Sequence, residues 1–269
     1  MVMRNLYTVL GLVLAPLFAV SENSAQAAEM TAMEVVKKAN HVIFYQGGDQ
    51  KARVDMRIID KQGRERNRQL TLLRRNFDSV DRDQKYYVYF SKPADVKKMV
   101  FMAAKHIGKD DDRWLYLPAL DLVKRIAASD ERTSFVGSDF FYEDVSGREI
   151  DEDIHVLVGE DDDVFIIEST PKIPGDVEFS RYRNWVDKTS FLPLKAEYYD
   201  EKGTVYRAYK ALKIETIEGF PTVINAVMEN RITGGKTLLH YFDVSYGVGL
   251  PENIYSERYL RKSPRKYIR

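Results

Sequence analysis

A mainly β fold is predicted: one antiparallel sheet of about ten strands, curled into a barrel or half-barrel and capped by a few helices. Three observations predict it. Apolar residues alternate with a period of two along much of the chain, turn signals recur at regular spacing through the C-terminal third, and clear helical spacing is confined to a short N-terminal stretch. Strands that pair with their sequence neighbours make a meander. A sheet of that size twists and curls, and its concave face needs filling. An apolar cavity is expected there.

Residues 1–27 precede the fold. A weakly positive start through Arg4 leads to the apolar run "VLGLVLAPLFAV" (9–20), and "AQA" (25–27) supplies a small-x-small cleavage pattern. Together these describe a secretory signal peptide. An N-terminal membrane anchor is the competing reading; Pro16 and the shortness of the run count against it. The chain has no cysteine, so the mature N-terminus is not lipidated and no disulfide staples the fold. A soluble periplasmic protein is expected, with residues 28–269 as a single domain.

In order along that domain, "TAME" (31–34) fits a capping box. Val35, Val36, Ala39, Val42 and Ile43 follow at helical spacing, and Gly47-Gly48 ends the run. From Ala52 the period becomes two. "ARVDMRIID" and residues 64–73 flank a turn, and "KYYVYF", "KKMVFMAA" and "RWLYL" read as further strands. "DIHVLVG" and "DVFIIEST" bracket a hairpin turn. Five more strands follow from "VEFSRYRNWV" to "KTLLHYFDVSYG", separated by Asp-Lys-Thr, Glu-Lys-Gly, Glu-Gly and Gly-Gly turns. The basic tail from Pro251 is expected to hold a short helix and to fray.

Composition excludes several functions. Lys plus Arg equals Asp plus Glu, 41 of each, so net charge gives no case for nucleic acid. The four histidines lie in separate segments without metal-ligand spacing, and no phosphate loop, nucleophile elbow or zinc signature occurs. No cofactor and no metal are expected. "GEDDD" (159–163) lacks the interleaved spacing of a calcium loop and reads as a solvated turn.

Two adjoining stretches are more informative. "WLYLPALDLVKRI" (114–126) is apolar on both strand faces until Lys124 and Arg125, whose side chains must point to opposite sides. "SFVGSDFFYEDV" (134–145) sets the acids Asp139, Glu143 and Asp144 among four rings. A cation on the interior side needs a paired acid. If Ser138 caps a helical turn, Asp139 and Glu143 share one face. The acids would then clamp this segment to Lys124 or Arg125 while its rings line what it covers. Solvated acids beside ordinary core rings are the plainer alternative. A catalytic acid pair is a poor fit, because such carboxylates sit on separate elements across a gap of about 5–10 Å. On a later strand Arg181, Arg183 and Trp185 share one face. That face suits a cavity rim meeting an anionic head group, or equally a solvent face with Arg stems over Trp185.

"WLYLPALDLVKRI" followed by "SFVGSDFFYEDV", and later "YRNWVDKTSFLPLKAEYYDEKG", resemble the outer-membrane lipoprotein-sorting protein family, a LolA-like group of exported bacterial proteins. The resemblance covers most of the mature chain. It implies a curved antiparallel sheet forming an unclosed barrel, helices over the opening, and a cavity that carries acyl chains. It also implies a lipid or acylated lipoprotein as cargo and an RND/MMPL-type inner-membrane exporter as partner. The expected function is that of a non-enzymatic carrier. A sensor or adaptor that binds a membrane-protein partner is the second reading, because one architecture serves several roles. The chain would pack against Trp114, Tyr116, Leu117, Phe135, Phe140, Phe141 and Trp185, with residues 134–145 as the lid.

Overall fold

The computed structural model describes Met1 and residues 30–77 and 81–269. Apart from Met1, the expected leader lies outside the described residues. The first element is α1 (Ala32–Asn40). Its capping box forms as the sequence requires: the Glu34 amide donates to Thr31 Oγ1 at 3.3 Å, and the Thr31 amide donates to the Glu34 carboxylate at 2.8 Å. A wider turn, His41–Tyr45, continues the helix. At Gly47 the backbone has φ +74°, and a Cβ would meet the Tyr246 ring at 2.5 Å, so the chain passes there only as glycine.

Thirteen strands follow among the described residues, where about ten were expected. They are β1 (Asp49–Ile59), β2 (Glu65–Asn76), β3 (Gln84–Lys92), β4 (Val100–Lys105), β5 (Asp112–Leu117), β6 (Leu122–Ile126) and β7 (Asp153–Glu160). Then come β8 (Val164–Pro171), β9 (Arg181–Asp187), β10 (Pro193–Tyr199), β11 (Val205–Ile217), β12 (Phe220–Asn230) and β13 (Gly235–Tyr246). All belong to one sheet in the order β6-β5-β4-β3-β2-β1-β13-β12-β11-β10-β9-β8-β7. Every pairing is antiparallel.

Two local meanders, β1–β6 and β7–β13, are therefore joined where β1 meets β13, in a register that sets Val54 opposite Tyr241 and Met56 opposite Leu239. β6 and β7 are the free edges, and the barrel is not closed. Those edges are consecutive in sequence. The segment between them, residues 127–152, crosses the mouth of the curved sheet; it contains α2 (Tyr142–Ser146).

Alternation sorts side chains between two cores. Val54, Met56, Leu70, Val88, Phe90, Phe101 and Leu115 face inward and pack with Phe135, Phe140 and Tyr142 of the crossing segment. α1 fills the other end of the concave face, where Val35 and Ala39 meet Ile167 and Val186. On the convex face Leu73, Tyr87, Val100 and Met102 are covered by the C-terminal tail. That tail holds α3 (Glu257–Arg261) and α4 (Arg265–Ile268). It does not fray. Leu250, Ile254 and Leu260 have at most 1% of their surface exposed, and Tyr87 Oη donates to Tyr259 O at 2.7 Å. Outward apolar residues of β2–β4 need a cover, and the tail supplies it.

Candidate functional site

A cavity of ≈ 370 Å³ lies in the concave face. Strand alternation puts apolar side chains such as Val54, Met56, Leu70, Val88, Met228 and Leu239 along its wall, and α1 contributes Val36 and Ala39. Phe135, Phe140 and Val145 of the crossing segment close one side. Phe135 is held edge-on by Phe101 and Tyr142, with ring centroids 5.4 and 5.5 Å away. Such contacts fix the ring's position as well as burying it.

The cavity also has a polar quarter. Tyr246 Oη accepts from Gln46 Nε2 and Gln50 Nε2, each at 3.1 Å, and lies 2.8 Å from Thr222 Oγ1. Beside them the buried Arg74 guanidinium donates to Gln46 O at 2.6 Å, to Phe44 O, and to Asn76 Oδ1 at 3.1 Å. No carboxylate pairs with Arg74 among the described residues, and burial pulls its pKa down. Inward alternation with Leu70 and Leu72 was the available signal for it.

The crossing segment carries ion pairs both to the sheet and within itself. Arg207, on β11 and 2% exposed, pairs with Asp144 and donates to Asp139 O at 3.3 Å. Its guanidinium also lies 3.9 Å from the centre of the Phe141 ring. Glu143 sits between Arg148 at 3.2 Å and Arg132 at 3.4 Å. Arg113 of β5 reaches Glu131 at 2.7 Å and Asp111 at 2.8 Å. Asp139 accepts from Thr237 Oγ1 of β13 at 2.7 Å. Lys105 Nζ donates to Ser146 O and Gly147 O at 3.2 and 2.7 Å, a cation at the C-terminal end of α2, where the helix carbonyls favour it. Gly147 (φ +81°) lets this end approach Phe44, whose ring a Cβ would meet at 2.7 Å.

These pairings replace the expected ones. Asp144 and Asp139 do fasten the segment, to Arg207 and Thr237 and not to Lys124 or Arg125, whereas Glu143 pairs within the segment. Both cations are exposed on β6, an edge strand of the sheet. Arg125 pairs with Asp112 instead. Ser138 is extended and lies outside α2, whose first turn begins after Phe141; Asp144 Oδ2 accepts from the Phe141 amide there at 2.6 Å. Asp139 and Glu143 therefore share no helix face. The true partners, Arg132, Arg148 and Arg207, were missed. Only Arg207 carried a signal, an inward strand position between Val205 and Tyr209.

Of the expected cavity residues, Phe135 and Phe140 line it. Trp114 and Tyr116 point the other way and pack beneath the C-terminal tail, since β5 sends Arg113, Leu115 and Leu117 inward. Leu117 joins the inner core beside the cavity. Phe141 is taken up by Arg207. On β9 the inward residues are Tyr182, Asn184 and Val186, which leaves Trp185 outside beneath Lys195 Nζ, 4.0 Å from the ring centre. Arg181 and Arg183 share that outer face and both pair with Glu168, at 3.1 and 2.7 Å. They are not at the cavity rim.

Burial raises the pKa of several carboxylates of the crossing segment, among them Asp139 and Glu143. That of Glu143 is pushed by burial up to about 7; Glu131 and Asp144 add to the rise, and Arg148 and Arg132 oppose it.

The model of a family described as "Uncharacterized protein" matches residues 82–262, more than half of the chain. No curated protein matches. Among solved structures, a DUF1329 family protein from Desulfovibrio piger is 28% identical with a TM-score of 0.78, covering 86% of this chain and 100% of that one. A domain described as an outer membrane lipoprotein-sorting protein, from Vibrio parahaemolyticus, is 28% identical with a TM-score of 0.76, covering 86% and 98%. A LolA superfamily protein from Nitrosomonas europaea, 19% identical with a TM-score of 0.66 over 86% and 100% of the two chains, shares the fold. The chain belongs to the family that the model describes, and its unclosed antiparallel barrel is that of the LolA-like outer-membrane lipoprotein-sorting proteins.

Proposed function

We propose that the protein is a non-enzymatic periplasmic carrier that shelters an acyl chain of a lipid or lipoprotein in its concave cavity, with residues 127–152 as the lid. The observation that carries this reading is the cavity itself: ≈ 370 Å³, walled by aliphatic and aromatic side chains, with a discrete polar cluster. That volume is at the low end of small-molecule sites, roughly 300–1,000 Å³, and suits a single chain. A sixteen-carbon chain offers on the order of 10 kcal/mol gross at about 0.8 kcal/mol per methylene. Lost freedom and cavity reorganisation offset much of it, as a shuttle that must release its cargo requires. An RND/MMPL-type exporter is the proposed partner in transfer, and a cleaved signal peptide the route of export. Among the described residues no helix is long and apolar enough to cross a membrane.

Native mass spectrometry of the mature protein, purified from the periplasm without detergent, tests the reading. A co-purifying acylated species at near one-to-one is expected. A protein that emerges empty and also fails to bind a fluorescent fatty acid would overturn the carrier and favour the sensor or adaptor.

A further inference from the structure

We infer that the C-terminal tail is a docking surface for an anionic lipid bilayer. Residues 258–269 carry six cationic side chains, Arg258, Arg261, Lys262, Arg265, Lys266 and Arg269, and no acidic one. All six are exposed. In and around the crossing segment, by contrast, Arg113, Arg132, Arg148 and Arg207 each have carboxylate partners. In the tail only Arg261 has one, Asp121 at 3.1 Å. Five cations stand unmatched.

They are also held in place. Leu260 is fully buried against the convex face, Thr71 Oγ1 donates to Ile268 O at 3.3 Å, and Lys51 Nζ donates to Arg269 O at 2.7 Å. A free basic arm loses conformational freedom on binding, whereas a docked one presents its charges already ordered. Tyr259 and Tyr267 sit half-buried among the cations, the kind of amphipathic ring that suits a headgroup layer.

The shape of the patch selects the partner. The tail lies along the sheet and contributes no residue to the concave cavity. Separate cations without a groove match a plane of lipid phosphates better than an acidic peptide, which needs a recess to bury its backbone. Each exposed cation near an anionic surface raises membrane affinity by roughly five-fold. The effect is screened by salt.

The test is co-sedimentation of the full mature protein with vesicles of phosphatidylethanolamine and phosphatidylglycerol, and with vesicles of phosphatidylcholine alone. Binding to the anionic vesicles at low salt, loss at high salt and none to phosphatidylcholine are expected. The quadruple variant Arg258→Gln, Lys262→Gln, Arg265→Gln, Lys266→Gln is expected to lower the partition coefficient by several hundred-fold with an unchanged melting temperature, since all four side chains are exposed. Equal binding by wild type and variant would overturn the proposal, as would absence of binding to anionic vesicles at low salt. So would a variant that keeps its vesicle binding but loses an acidic protein partner. Acyl binding by the variant, read with a fluorescent fatty acid, reports separately on the cavity.

Discussion

Two segments cover the two faces of one sheet, one with buried ion pairs in its attachment and one without. Residues 127–152 cross the concave face and add two buried ion pairs to the sheet, Arg113 to Glu131 and Arg207 to Asp144, to the packing of Phe135, Phe140 and Tyr142. The C-terminal tail covers the convex face through Leu250, Ile254, Tyr255 and Leu260. Buried ion pairs recover much of their loss in water once both partners are solvated together. Apolar surface recovers nothing there. Charge in the attachment of the first cover makes it the easier of the two to release into water.

Four experiments probe that contrast, beginning where the effect is largest. Leu260→Ala should lower global stability by about 2–5 kcal/mol in urea unfolding, the range for a buried leucine. A loss below about 1 kcal/mol would make the tail an accessory and break the comparison.

Glu143→Gln comes next. The folded pKa of Glu143, about 7, lies above its ordinary value of 4.5. Its contribution to stability is therefore fully present below about pH 4.5 and lost as pH rises through 7. Wild type should lose up to about 3 kcal/mol relative to the glutamine variant across that window. Parallel pH profiles would mean that Arg132 and Arg148 keep the carboxylate ionised throughout.

A double-mutant cycle on Arg207→Met and Asp144→Ala should give a coupling of about 0.5–3 kcal/mol. Additivity would remove charge as the fastening of the crossing segment. The smallest effect belongs to Arg125→Ala. The Arg125 side chain is 70% exposed beside Asp112, and thermal unfolding should change by less than about 1 kcal/mol. A larger loss would restore a structural role to the cation that the sequence singled out.

Much of the architecture was legible because it is local. Thr31 and Glu34 announce α1 three residues apart, and alternation plus turn residues announce each strand of the C-terminal meander. The site was legible only in part, because its partners are distant. Asp144 and Arg207 are 63 residues apart, and no short-range pattern links them. Strand alternation told that Trp114 and Leu115 face opposite ways but not which way is in. That depends on where β5 falls in the sheet and on a tail more than a hundred residues downstream. Lys124 and Arg125 misled for the same reason: edge position is a property of strand order, and β6 is an edge only because β7 does not close on it.

The junction of β1 with β13 has a consequence in time. Each meander pairs neighbours in sequence and can form as its residues become available, with little loop-closure cost. The junction pairs the first strand with the last, as in Gln50 opposite Tyr246. It cannot form before the chain is almost complete. During synthesis from the N-terminus, β1 therefore waits with one long edge unsatisfied, a template for any stray strand. Assembly of this barrel ends in its middle, and the slow step belongs to its oldest strand.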